Sequence, residues 1–505
     1  MNRIRNILAL TLIVLLLSVS CAGTSKSIYT PPKKNVTVSL GLSTLIMRPG
    51  ETRTFNPTFK NAEVPPALIW TSSDESIISV SQDGTVIAHN ETSDSRSAQI
   101  TAAIADNPNM KSVCTITVLS PSQVHFLTAG PGEDASTQAV ISWHSVHPTS
   151  TLVYADTSYL ADAKEISLEG EPTISEWADL SFIYRYKVTL SGLISDSTYS
   201  YYVIDEDGNT SETSFFKTAG TDGTFSFAWL SDVHASSADS MKNTISLLDY
   251  MKDRSDISFC LYTGDYVNQG QRYRYWESWT DSGLLSGMSY AFLIGNHEYY
   301  PNNTPETATP SYYLDFAAIP DNHGSSAPAD YWFIYNNVLF ICLDSMAADF
   351  AEGNRIRDRQ LGLIKTAISE AWDDYTYIIV AQHYAFLDGN EDGTGKYSYW
   401  YQAFDNVGID LALSSDTHAY SRSKTLYNDH EEHFGTVYVT SPKTDGKELS
   451  AIVSDDEKLG IRSAFNSVAT VTGGCYIDVT PQEMTLHLIG KDGIEYDSVV
   501  IPARR

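Results

Sequence analysis

Positive charge is scarce in this chain: 33 Lys and Arg stand against 62 Asp and Glu, a net charge of -29 at pH 7. A surface this acidic repels polyanions, which excludes tight non-specific binding to nucleic acid and to anionic membranes. It does not exclude a small anionic substrate, because bound cations reverse the field locally. Cysteine is equally scarce, five in 505 residues with no CxxC pair. That excludes a dense disulfide framework and a cysteine-rich zinc site. Cys260 and Cys342 lie inside apolar runs and read as buried free thiols. No apolar run beyond residue 17 is long enough to cross a bilayer. No repeat of solenoid period is present. His430-Glu-Glu-His433 lacks the HExxH spacing and reads as exposed.

What is present describes a globular chain, 42% hydrophobic and 19% charged, long enough for two to four domains. Arg3 and Arg5, the apolar run 7–17 and Ser18-Val-Ser20-Cys21 form the three parts of a secretory signal, expected over residues 1–20. Cys21 resembles a bacterial lipobox cysteine, with Ser18 where Leu is usual, so a lipid anchor and an extracytoplasmic location are expected. Residues 21–34 are polar and rich in Pro, Ser and Lys, as a tether would be.

Two all-β segments follow. Residues 35–118 alternate short β-type runs with turns, including Asp83-Gly84 between alternating apolar residues, a hairpin signal. This segment resembles a bacterial Ig-like domain, and a glycan or protein contact is the partner it implies. Trp70 reads as sandwich core rather than as a binding platform. Residues 119–220 show period-two alternation around Trp143, Tyr186-Lys-Val188 and Tyr199-Ser-Tyr201. They resemble the fibronectin type III-like domain that precedes the catalytic domain in purple acid phosphatase relatives. From 221 to 505 strands alternate with helices, which implies an α/β domain. Strands are expected at 225–230, 257–262, 290–294, 375–381, 437–440, 476–479 and 484–489. A hairpin is expected at 331–335 and 338–343 about Asn336-Asn337. One helix should bury Met241, Ile245, Leu248 and Met251, and another should span about 358–372.

Five motifs stand at the ends of strands in this last domain: Asp232-Val-His234, Gly264-Asp265, Gly295-Asn296-His297-Glu298, Gln382-His383 and Asp416-Thr-His418. Loops at the carboxyl ends of parallel strands converge on one site. Oxygen and imidazole donors suit Mn, Fe or Zn better than a soft metal. The set resembles the calcineurin-like metallophosphoesterases, including purple acid phosphatase relatives, whose pattern runs DxH or DxG, GD, GNH(D/E), a lone His, and GHxH. The resemblance implies two mixed sheets flanked by helices and two divalent or trivalent metal ions. It implies that Asp232, His234 and His418 bind one metal, that Asp265 bridges, and that Asn296 and His383 bind the second. His297 would be the general acid or a phosphate-stabilising donor, and the reaction would be hydrolysis of a phosphate monoester or diester by a metal-bridging hydroxide. Two positions depart from the pattern. His234 and Asn268 stand where purple acid phosphatases carry Gly and a Tyr ligand, and Asp416 replaces the first His of GHxH. Asp416 ligates through oxygen but is shorter and more negative, so a degenerate site on a non-catalytic surface protein stays open, as does a nucleotidase or phosphodiesterase. Glu298 reads as an orienting partner of His297 or as a solvated side chain. The segment 299–331 reads as a pocket wall in which His323 contacts phosphate. Arg272, Arg274 and Arg422 read as salt-bridged.

Overall fold

The structure, a computed structural model, describes residues 36–504 apart from 63, 93–94, 121–123, 174–182, 301–309, 351–353, 372–374, 388–396, 446–462 and 467–471. The expected signal, the tether and Cys21 lie outside the described residues. No helix among the described residues is long and apolar enough to cross a membrane.

The first all-β region packs a four-stranded sheet, ordered Thr44–Met47, Asn107–Val118, Arg96–Ile104, Leu68–Ser72, against the three strands Thr52–Thr54, Thr85–Ala88 and Ile78–Val80. Alternation along Thr85–Ala88 sends Val86 and Ala88 inward. Trp70 is buried in that core beside Phe55. A Cβ at Gly84 would lie 2.7 Å from the Trp70 ring, so the hairpin turn itself closes over the indole. The second region is a sandwich of two four-stranded sheets. At its centre Trp143 stacks flat on Tyr186 at 4.9 Å and donates its Nε1–H to Ser150 Oγ.

The second sandwich is docked on the α/β domain through buried groups. Phe126 stacks on Phe316 at 4.3 Å, and its N–H donates to Thr280 Oγ1 at 2.8 Å. Ser142 Oγ donates to the carbonyl of Phe316. Arg185 pairs with Asp315 at 2.6 Å. The segment expected to wall the pocket therefore contributes its helix Ser311–Phe316 to this junction. His125 and His144, direct cross-strand partners, are buried under the helix Tyr273–Asp281. Burial pushes the His125 imidazole down to about 4 and His144 well below its usual range.

Two mixed sheets build the α/β domain. One is ordered Ser289–Phe292, Ile257–Tyr262, Phe225–Leu230, Gly473–Val479, Glu483–Gly490, Glu495–Pro502. Its first three strands are mutually parallel, and the rest are antiparallel. The other is ordered Tyr331–Tyr335, Val338–Leu343, Tyr377–Gln382, Leu411–Ser414, Val437–Thr440, Ser421–Ser423, Ser463–Asn466, with four parallel strands from Val338–Leu343 to Val437–Thr440. Their parallel strands are continuous apolar runs because both faces are covered: Phe225–Leu230, Tyr377–Gln382 and Val338–Leu343 are buried at every position. The expected hairpin has the expected bounds. The helix Lys242–Lys252 buries Leu247, Leu248 and Met251, with Met241 buried at its N-cap. Asn354–Ala371 starts one turn earlier than its sequence pattern suggested. The architecture is thus two all-β regions followed by an α/β domain of two mixed sheets. The carboxyl ends of both parallel sets point to one place, which is where the five motifs lie.

Candidate metal centre

Each motif is placed by the last residue of a buried strand. Asp232 and His234 follow Phe225–Leu230, and Asp265 follows Ile257–Tyr262. Asn296 and His297 follow Ser289–Phe292. His383 directly follows Tyr377–Gln382, and Asp416 and His418 follow Leu411–Ser414. The backbone there is unusual. Asp232, His234, Asp265, Asp416 and His418 have φ of 57°, 46°, 57°, 70° and 61°. Left-handed backbone is costly for residues with a Cβ and concentrates at functional sites. Two glycines make room for it. A Cβ on Gly264 (φ 96°) would meet Gly295 and the His383 ring at 2.7 Å, and one on Gly295 would meet Asp265 Oδ1 at 2.3 Å.

Ligand atoms of Asp232, His234, Asp265 and His418 all lie within 4.8 Å of one another. His234 Nε2 is 3.1 Å from Asp265 Oδ2, and His418 Nε2 is 3.4 Å from Asp232 Oδ1. A second group overlaps this one. His383 Nε2 is 2.8 Å from Asn296 Oδ1, 3.3 Å from Asp265 Oδ1 and 3.7 Å from Asp416 Oδ1. Asp265 therefore turns one oxygen to each group. The tautomers are fixed from behind. Nδ1–H of His383 donates to Thr263 O at 2.7 Å, that of His234 to Asp232 O at 3.1 Å and that of His297 to Asn268 O at 2.7 Å. The Nε2 atoms of all three rings are left facing the centre. Tyr300 OH accepts from Asn296 Nδ2 at 2.8 Å, which aims Oδ1 at His383.

The electrostatics call for cations. Asp232 is wholly buried, and neither of its carboxylate oxygens has a hydrogen-bond partner. A buried carboxylate left so is expensive unless a cation compensates it. Burial works to raise Asp265, yet the imidazoles of His383, His297 and His234 hold its carboxyl well below the usual range. Burial works to lower His383 and His234, yet Asp265 beside each raises both, His383 strongly. His297 behaves differently: burial lowers it in spite of Asp265. These donors fit two cations sharing Asp265, with an N/O set of borderline hardness.

Residues 225–420 match the family model for calcineurin-like phosphoesterase. The chain carries a calcineurin-like phosphoesterase domain. Two uncharacterized proteins of Mycobacterium tuberculosis, from strains CDC 1551 and H37Rv, are 24% identical over 340 residues, covering 58% of this chain and 61% of theirs. The chain thus spans about three fifths of the length of these curated relatives. Purple acid phosphatase 15 of Arabidopsis thaliana is 24% identical over 220 residues, 42% of this chain and 40% of that one. In fold, the chain resembles purple acid phosphatase PPD1 from yellow lupin (Lupinus luteus) seeds, with TM-score 0.63 and 12% identity over 92% of this chain and 96% of the other. It also resembles PhoD, with TM-score 0.54 and 11% identity over 75% and 89%.

Within this calcineurin-like domain several residues take places that the sequence did not disclose. Glu298 is fully buried and accepts the N–H groups of Asp265 (2.9 Å), Tyr266 (2.9 Å) and Gly295 (2.8 Å), tying the two glycine loops together. Burial, with Asp265 beside it, pushes its carboxyl up to about 8. It is neither solvated nor bonded to the His297 ring. Asn268 meets His297 through its backbone carbonyl. His323 is 3.4 Å from Asp321 and lines a cavity of about 380 Å³ shared with Asp358 and Arg359. Arg422 forms a two-pronged pair with Asp497 at 2.7 and 3.1 Å. Asp445, beyond the end of Val437–Thr440, was not anticipated, and its Oδ2 is 3.8 Å from His234 Nδ1. It follows a parallel strand as the other motifs do, and that position is the signal by which it is found.

Proposed function

We propose that this protein hydrolyses phosphate monoesters at the carboxyl-end cluster. The observation that carries this reading is Asp265, one buried carboxylate with Oδ2 3.1 Å from His234 and Oδ1 3.3 Å from His383. Asp232, His234, Asp265 and His418 would hold one cation, and Asp265, Asn296, His383 and Asp416 the other. The metals suited to these donors are Mn, Fe or Zn. Bound cations supply neutralisation of phosphoryl charge and a nucleophile at neutral pH.

The chain's own groups do the rest. Asn296 is oriented by Tyr300 at 2.8 Å, and the Nε2 atoms of His234 and His383 lie 3.1 and 3.3 Å from the Asp265 carboxylate, around which the cations would bind. The Glu298 clamp holds the Gly264 and Gly295 loops in register, so the donors are set before substrate arrives. His297 has its Nδ1 tied to Asn268 O, which leaves Nε2, 3.9 Å from Asp265 Oδ2, to carry a proton to the leaving oxygen. The sequence of residues 1–21 supports export with an anchor at Cys21, which would place the hydrolase outside the cytoplasm.

The test is hydrolysis of aryl phosphate mono- and diesters by the full mature chain, stripped of metal and resupplied with Mn, Fe, Zn or Mg. The expected result is turnover restored by metal, faster on the monoester. His297→Ala should lower kcat by about 10²–10⁴-fold while metal content stays at the wild-type level. Absence of turnover with every metal overturns the proposal and favours a binding protein. A faster diester reaction would reassign the ester class.

A further inference from the structure

The segment Ser441-Pro-Lys443-Thr-Asp445 leaves the strand Val437–Thr440 and is sewn to the floor of the site. Ser441 N donates to Ser414 O at 2.7 Å, and Thr444 donates to Ser231 O through both N (3.2 Å) and Oγ1 (3.0 Å). Ser231 immediately precedes Asp232, and Ser414 lies two residues before Asp416, so the segment ties together the strands that carry both Asp-x-His turns. The segment also buries an ion pair. Lys443 Nζ is 3.2 Å from Asp445 Oδ1, with side chains only 6% and 4% exposed. The other Asp445 oxygen lies 3.8 Å from His234 Nδ1, on the side of the ring away from Asp265.

A buried ion pair is poor evidence for stability, since desolvation cancels most of the attraction and well-packed apolar residues do as well or better. Its worth must come from what it touches. His234 is held at φ 46° with its Nε2 aimed into the cluster. A carboxylate behind the opposite ring nitrogen favours Nδ1 protonation, leaves the Nε2 lone pair outward and raises its basicity as a ligand. The contact at 3.8 Å is electrostatic, because the Nδ1–H hydrogen bond goes to Asp232 O. Lys443 then sets how much of that negative charge reaches the ring.

We infer that Asp445 is a positioning residue for His234, and that Lys443 attenuates it, so that the pair sets the affinity of the cation site built from Asp232, His234, Asp265 and His418. This rests on the metal-binding reading proposed above. The two partners carry opposite signs, so the inference predicts opposite effects, which a loop that merely needed both residues for its shape would not give.

The experiment is calorimetric titration of Mn(II) and of Zn(II) into the chelator-stripped full chain. D445N should raise the dissociation constant of one of the two sites by about 10–100-fold. K443M should lower that constant. The double variant K443M/D445N removes the charge of both partners with little change in volume. It should reproduce the D445N loss, and it serves should either single variant fail to fold. Wild-type affinity in D445N or in the double variant overturns the inference, as does a K443M loss equal to that of D445N. Failure of the wild-type chain to bind either metal would instead sink the metal-binding reading, a result separable from the others.

Discussion

Asp232-Val-His234 and Asp416-Thr-His418 are the same three-residue turn used twice, once from each sheet. Both place Asp and His at left-handed backbone, and their imidazoles meet edge to face at 5.1 Å. Their exposure separates them. The side chains of Asp232 and His234 are 0% and 6% exposed, and those of Asp416 and His418 are 37% and 31% exposed. Each cation group takes one residue from the open turn, His418 for the first and Asp416 for the second. The buried turn is fixed by Ser231, Gly264 O and the 441–445 segment. The open turn faces solvent. One motif therefore serves as foundation in one copy and as rim in the other, and the departure from the family pattern, Asp416, falls on the rim, where a substitution is tolerated best.

The largest effect should come from the foundation. Asp232→Ala is expected to cost at least roughly a thousandfold in metal-dependent turnover, because losing a cation forfeits several kcal/mol of transition-state stabilisation. The metal-free protein should at the same time lose stability: burial works to raise the Asp232 carboxyl, yet the imidazoles of His418 and His383 hold it below its usual range, and the variant removes their partner. Turnover at saturating metal and melting of the chelated protein measure the two. Asp416→Ala should cost less, about tenfold, and leave the metal-free melting temperature unchanged. Asp416→His should tighten the second cation by restoring an imidazole. Equal losses for the Asp232 and Asp416 variants would break the comparison.

The smallest effect at neutral pH marks the range in which the two turns can be compared at all. The buried His125 and His144 titrate at the junction, away from the cluster. For His125, with about 4 in the folded protein against about 6.5 unfolded, the unfolded chain binds the extra proton between those values. Its contribution is therefore whole above about pH 6.5, declines as the pH falls toward 4 and levels off below, a loss on the order of 3 kcal/mol. His144 acts in the same direction. Chemical denaturation across that window should show the decline, and a stability that is flat between pH 6.5 and 4.5 would contradict it. Kinetic comparisons of the two turns belong above this window.

The sequence made the strands legible because buried parallel strands are unbroken apolar runs, and it made the candidate ligands legible because each stands where such a run stops. The bounds of Phe225–Leu230, Ile257–Tyr262, Val437–Thr440 and the hairpin followed directly. What stayed hidden depends on partners distant in the chain. Glu298 after Gly-Asn-His looks like an ordinary solvent-facing glutamate, and only the fold brings the amides of Asp265 and Tyr266 to it. Lys443-Thr-Asp445-Gly-Lys looks like a charged loop, and nothing local shows that it doubles back on Ser231. The segment after Tyr299 reads as a pocket wall because long polar loops often are. Its residues 301–309 lie outside the described residues, and its Tyr312, Tyr313 and Phe316 bury against other aromatics.

Five of the proposed ligands sit on backbone that residues with a Cβ avoid, at about 1–2 kcal/mol each. The consequence for engineering is that the ligand set is not portable as a set of side chains. A scaffold given Asp, His, Asp, Asn, His, Asp and His at matching Cα positions would relax those turns to φ below zero and point the donors elsewhere. What has to be transplanted is the pair of glycine loops, the glutamate that binds their amides and the segment that stitches the two turns together.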